Sequence, residues 1–280
     1  MTLSATAYPL PLRIVVAVLL TVSRGTLLVL AGLAFFAPEP IPSARLLRAF
    51  WLLVLAPEAA VWILRYLFAA TLSVDDDGIA AQLRTRRVEI PLSAVDAIVP
   101  WKLPMPAAGF WLRMRSGARF SDGFFVADAG GFLQALRESG ASEVADRVSG
   151  HPSILFARSK YAAASRFDRP LYKYVLFALV PTVPLFRLRQ LLAYGGTFGE
   201  YYDFGLKAYL LGFGIYWVLY GVYLLMYATL LRTVAEALSL GAAWAAPTYA
   251  SGVRRACEIG QRALYFGGVP IVLILRFIPW

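Results

Sequence analysis

Two hydrophobic periods divide this chain. Long, nearly continuous apolar runs open it: Ile14–Phe36 and Leu46–Leu72, joined by the turn Ala37–Pro42, whose three prolines cannot continue a helix. Each run exceeds the ~20 residues needed to cross ~30 Å of hydrocarbon. The first is too long for the apolar core of a secretory signal and is followed at once by the second, so the pair is expected to form an anchoring hairpin. Three more apolar runs follow in the C-terminal part, Leu171–Phe186, Leu206–Leu231 and Ala263–Ile278, the first of them short and carrying Pro181 and Pro184. The pattern predicts a polytopic α-helical membrane protein with about five spans.

Between Leu72 and Gly140 the period shortens to two. Asp75–Gly78 reads as a turn, Ile79–Arg84 and Arg87–Ile90 as a hairpin pair, and Ala94–Trp101 as another short strand. Gly109–Arg115 alternates, with Phe110, Leu112 and Met114 on one face and Trp111, Arg113 and Arg115 on the other. Ser116-Gly117 turns the chain into Arg119–Phe125. Asp128 then caps a helix to about Glu138 that carries Phe132, Leu133 and Leu136 on one side and stops at Gly140. The resulting domains are a two-span hairpin (1–72), a cytoplasmic insert (73–140), a basic juxtamembrane linker (141–170) and a three-span region (171–280) with an amphipathic helix near 249–262.

Composition supports the division. Hydrophobic residues make up 59% of the 280 residues and charged residues 16%, against about 45–50% and 25% in soluble domains. The net charge of +10 is not a nucleic-acid footprint, because the insert is charge-balanced and the excess borders the apolar runs. Lys and Arg near the span ends orient the chain. Arg13, Arg65, Arg84, Arg86, Arg87, Arg158, Lys160, Arg166, Arg169, Lys173, Arg232, Arg254, Arg255 and Arg262 lie on one side. Arg45, Arg48, Arg187, Arg189, Lys207 and Arg276 lie on the other. The N-terminus and the insert are therefore expected in the cytoplasm and the C-terminus outside. A single cysteine, Cys257, and a single histidine, His151, exclude an intramolecular disulfide and a zinc site built from Cys and His.

The insert resembles the bacterial PH-like domains found beside membrane spans. The resemblance rests on Asp76-Asp77-Gly78-Ile79, on Ile90-Pro91-Leu92-Ser93 stepping into Val95-Asp96-Ala97-Ile98, and on the strand, Ser116-Gly117 turn, strand and closing helix with Phe132 and Leu136. It covers roughly 70 residues and implies a small, partly open barrel closed by a helix, an α+β insert that serves protein assembly in a bacterial inner membrane. The stretch Pro100–Pro106 departs from the pattern. It is either a proline-stiffened packing element or a partner-docking loop presenting Trp101, Lys102 and Met105.

Within the spans, Arg24 lies twelve residues before Phe36 and Glu58 twelve after Leu46, which puts both at one depth, ~18 Å from the hairpin turn. A lone charge there costs at least ~2.5–3.5 kcal/mol, so an Arg24–Glu58 ion pair is expected, either pinning the helices together or marking a functional polar site. Tyr209, Tyr216, Tyr220, Tyr223 and Tyr227 share one helical face, for helix packing or for a lipid or quinone headgroup. On the amphipathic helix, Arg254, Arg255 and Arg262 are placed to meet anionic headgroups.

No phosphate loop, dinucleotide fingerprint or hydrolase motif occurs, and no cofactor or metal is expected. The expected function is a non-enzymatic assembly or accessory subunit positioning a partner protein at the membrane, in contact with membrane lipids and other proteins but not nucleic acid. The alternative is a component of a lipid or small-molecule transport system with an intramembrane polar site.

Overall fold

The computed structural model describes residues 2–37, 42–75, 78–84, 86–102, 104 and 107–277. It is a mixed α+β chain that divides into two compact units. One comprises Met1–Thr26, Trp51–Ala163 and Glu236–Cys257, the other Leu27–Phe50, Ala164–Ala235 and Glu258–Trp280.

The first unit is built on a curled antiparallel sheet of seven strands, a half-barrel. The strands are β1 (Thr2–Pro9), β2 (Ala69–Asp75), β3 (Gly78–Leu83), β4 (Arg87–Pro91), β5 (Val95–Pro100), β6 (Gly109–Met114) and β7 (Asp122–Val126). Their order is β4-β3-β2-β1-β7-β6-β5. The five expected strand segments of the insert therefore form, but the sheet extends beyond it. β1 precedes the first apolar run and pairs with β2 on one side (Leu3↔Leu72, Ala5↔Ala70) and β7 on the other (Ala7↔Phe124).

Alternation puts Leu3, Leu72, Val74, Ile79, Ile90, Ile98, Phe110, Leu112, Phe124 and Val126 on the concave face. Helix α4 (Ala129–Glu138) closes over them, with Asp128 accepting a hydrogen bond from the Gly131 N–H at 2.9 Å and Phe132 stacked on Phe110 at 4.7 Å. Gly117 (φ 81°) makes the turn after β6, and Gly140 (φ 87°) lies just after α4, in the left-handed conformation that costs glycine least. The segment expected as a linker is folded. Its helices α5 (Ser142–Ser149) and α6 (Pro152–Ala162) add Ala145, Val148, Ile154 and Ala157 to the same core.

His151 caps α6, its Nδ1 accepting the Ser153 N–H at 3.2 Å. Burial lowers its pKa, so the unfolded chain takes up the proton first as pH falls. The cap's contribution is whole above about pH 6.5 and is lost as pH falls toward the folded pKa. His151→Asn keeps a capping acceptor that does not titrate. It should flatten the pH dependence of the thermal midpoint between about pH 5 and 7; a slope equal to the parent's would count against this role.

The sheet grips the first two apolar helices at their roots. α1 (Leu10–Phe36) leaves β1, and α3 (Ala56–Leu67) runs back into β2. The Ala7 N–H donates to the Phe68 carbonyl at 3.1 Å, and Tyr8, Val16, Leu20 and Val61 pack together where the two helices meet. Before α3 lie α2 (Ser43–Phe50) and a π turn (Trp51–Leu55), with Pro57 just beyond. Widening the helix there accommodates a residue that cannot donate to the ladder.

The second unit is helical apart from the segments between its helices. A π turn (Leu171–Leu176) leads into α7 (Leu179–Tyr194), and α8 (Gly199–Ala245), broken in φ/ψ only at Gly205, continues past the unit's limit for a total of about 70 Å. After a short 3-10 turn come α9 (Ala250–Arg262), a second π turn (Ala263–Gly267) and α10 (Gly268–Phe277).

Among the described residues four helices are long and apolar enough to cross a membrane: Leu10–Phe36, Ala44–Leu67, Leu171–Tyr194 and Gly199–Ala245. Five were expected. The last run is a five-residue π turn plus a ten-residue helix among the described residues, short of the ~20 needed.

Candidate functional site

The Arg24–Glu58 pair does not form. The Ser23 hydroxyl donates to Glu58 Oε1 at 3.2 Å, while Arg24 is exposed and makes no ion pair among the described residues. Counting residues places depth correctly, but neighbours on a helix differ by about 100° in azimuth, and Ser23 is the one that faces α3. Ser23→Ala should therefore cost about 1–2 kcal/mol and Arg24→Ala less than about 0.5, read as thermal midpoints in mild detergent. A larger loss for Arg24→Ala, recovered by exchanging the two charges, would reinstate the ion pair.

The docking loop is corrected as well. Trp101 is 2% exposed. Its ring lies 6.1 Å from Trp111, the Arg13 guanidinium stacks on it at 3.7 Å, and a Cβ at Gly109 or Gly123 would meet it at 2.8 or 2.9 Å. The Ser153 hydroxyl donates to its carbonyl at 2.6 Å. Trp101 fills the convex side of the sheet because two glycines leave room for it. Lys102 is exposed; Met105 lies outside the described residues.

The tyrosine face is occupied by protein. Phe186 meets Tyr209 and Tyr216 edge-on, Phe35 meets Tyr223 and Tyr227, Tyr220 lies between Tyr216 and Tyr223, and Tyr265 stacks on Tyr227.

The amphipathic helix is inside out. Arg254, Glu258, Gln261 and Tyr265 are buried, whereas Ile259 and Leu264 are more than half exposed. Of the three arginines expected at headgroups, Arg255 alone is exposed. In the first unit, buried Arg254 donates to both oxygens of Glu236 at 3.0 and 3.3 Å, and Lys160 reaches the same carboxylate at 2.9 Å. The Phe156 ring lies within 6 Å of both cations.

The second unit holds a polar cluster around Asp168 and Glu258. Arg262 pairs with Asp168 at 2.7 Å, and Arg232 with Glu258 at 3.0 Å. The Asp168 hydrogen bond raises the Arg262 pKa, opposed by burial. Lys173, 6% exposed, sits among these four charges. Its ammonium lies 4.8 Å from the Tyr265 ring centroid and within ion-pair distance of no carboxylate among the described residues.

The π turns supply the frame. A π turn leaves carbonyls outside the i→i−4 ladder, and in hydrocarbon each needs a partner. Tyr265 donates to the Lys173 carbonyl at 2.7 Å, Trp217 to the Val175 carbonyl at 2.9 Å and Tyr227 to the Leu264 carbonyl at 3.3 Å.

No family model, curated protein or solved structure matches this chain. Its site is therefore read from geometry alone. Sequence reasoning used Lys173 and Arg232 only to orient the chain, placed Arg262 at anionic headgroups and left out Asp168. The available signals were Glu258 and Arg262 four apart on one face, and a lysine two residues inside an apolar run. Among the described residues no group of His, Cys, Asp and Glu is arranged to hold a metal.

Proposed function

We propose that this chain is a non-enzymatic assembly subunit of a bacterial inner membrane, whose half-barrel is a PH-like domain that holds a partner protein at the cytoplasmic surface. The observation that carries the reading is the place of β1. The helical hairpin leaves from one strand in the interior of the sheet and returns to its neighbour. A sheet joined to its anchor by two adjacent strands has little freedom to turn about the anchor, which suits a platform and gives no advantage to a tethered, freely diffusing domain. Seven antiparallel strands with α4 closing the concave face support the PH-like reading.

With Trp101 buried, the partner surface passes to exposed Lys102 and the open edge of the sheet. β4 pairs with β3 alone, through Ile79↔Ile90 and Ala81↔Val88, and its outer backbone groups are available to an added strand. The basic residues around the span ends support a cytoplasmic N-terminus and sheet.

Mild-detergent purification of the full chain from native membranes, with identification of co-purifying proteins, tests the proposal. A stoichiometric protein partner, lost from a Lys102→Glu, Arg87→Glu variant that keeps its thermal midpoint, is the expected result. Recovery of the chain alone, or as a homo-oligomer, from membranes and detergents of several kinds would overturn it.

A further inference from the structure

An apolar groove opens in the second unit, lined by Phe50, Tyr174, Val175, Trp217, Gly221 and Leu225 among others. Its long wall is one stripe of α8, Val218, Val222 and Leu225, spaced four and three apart. The same spacing continues through Thr229 to Arg232 in the polar cluster. From Val218 to Arg232 the stripe rises ~21 Å, more than the ~15 Å of one leaflet's hydrocarbon. Tyr174, next to Lys173 in the chain, lines the groove.

We infer that this groove and the cluster at its end form a binding site for one anionic phospholipid, an acyl chain lying along Val218, Val222 and Leu225 and the phosphate drawn to Lys173 and Arg232. Charge complementarity selects the occupant. In the cluster Arg232 pairs with Glu258 and Arg262 with Asp168, while the Lys173 ammonium lies within ion-pair distance of no carboxylate among the described residues. Asp168 and Glu258 are paired to the arginines, which leaves the buried Lys173 ammonium as the charge that an incoming anion neutralises. The groove itself offers no carboxylate and has apolar walls, with Val218 54% exposed. Trp217 is held in place by its hydrogen bond to the Val175 carbonyl, and Gly221 allows the Tyr174 carbonyl to approach. A zwitterionic lipid would bring its own cation beside the Lys173 ammonium, which has no carboxylate within ion-pair distance among the described residues.

Native mass spectrometry of the full chain released from membranes in mild detergent reads the result. The parent chain is expected to retain about one phospholipid, enriched in anionic headgroups over the bulk membrane. Lys173→Met removes that ammonium and should cut the enrichment about fivefold. Val218→Trp, on an exposed position, fills the groove and should lower retention whatever the headgroup. Added anionic phospholipid, and not a zwitterionic one, should raise the parent's thermal midpoint and do so less in either variant. The proposal is overturned if the parent retains no lipid, if zwitterionic lipid is retained equally, if inorganic phosphate alone gives the same thermal shift, or if Val218→Trp folds and retains lipid like the parent.

Discussion

Glu236→Ala is expected to be the most damaging single change outside the sheet. It removes the carboxylate that both arms of Arg254 grip, from a guanidinium with no exposed surface. Breaking such a buried pair from one side costs about 3–5 kcal/mol, because the remaining charge stays out of water with the bidentate carboxylate gone. Lys160, the third member, is half exposed and its side of the network is worth little. The controls separate charge from packing. Glu236→Gln keeps acceptor capacity and should fall between parent and Ala. A Glu236→Leu, Arg254→Met double variant removes both charges and should recover most of the loss. Chemical and thermal unfolding in detergent would show it; a single-variant loss below about 1 kcal/mol would mean that Arg254 reaches water once freed.

Trp101→Ala is the second. A docking residue would lose partner affinity and leave the fold alone. A core residue does the reverse, and truncating a buried tryptophan costs about 3–5 kcal/mol. The cavity would open against Trp111, Gly109 and Gly123 and strip the Arg13 guanidinium of its stacking surface. Gly109 cannot grow to refill it, because a Cβ there would also meet the Phe124 carbonyl oxygen at 2.6 Å. The expected outcome is a large drop in thermal midpoint with partner retention unchanged per folded molecule. A native midpoint with the partner lost would restore the docking role.

The strands of the insert were legible because period-two alternation and turn residues are local signals. So was the Asp128 cap, which depends on two adjacent segments only. β1 was not, since its inward residues include Ala5 and Ala7, too small to stand out beside the apolar run that follows. β2 was absorbed into the second span for the opposite reason: Ala69–Leu72 continues its hydrophobicity without a break. α9 shows a different limit. A helical stripe of Arg254, Glu258 and Arg262 states that one face is polar, but not whether water, headgroups or other helices lie against it. The answer came from Glu236 and Asp168, distant in sequence, whose carboxylates turn the stripe inward. The same limit applied to Arg24 and Ser23, where the partner helix decides which of two neighbours is used.

The position of β1 has a consequence for how the protein is made. Its two partners are synthesised far apart: β2 follows the hairpin, and β7 ends only at Val126. β1 therefore stays unpaired on at least one side until β7 has been made, and a closure that depends on such distant partners is slow. Deleting Thr2–Pro9 would separate a β4-β3-β2 ribbon from a β7-β6-β5 ribbon and expose two raw edges where there had been a continuous ladder. For heterologous production, any change within Thr2–Pro9 acts on the keystone of the sheet.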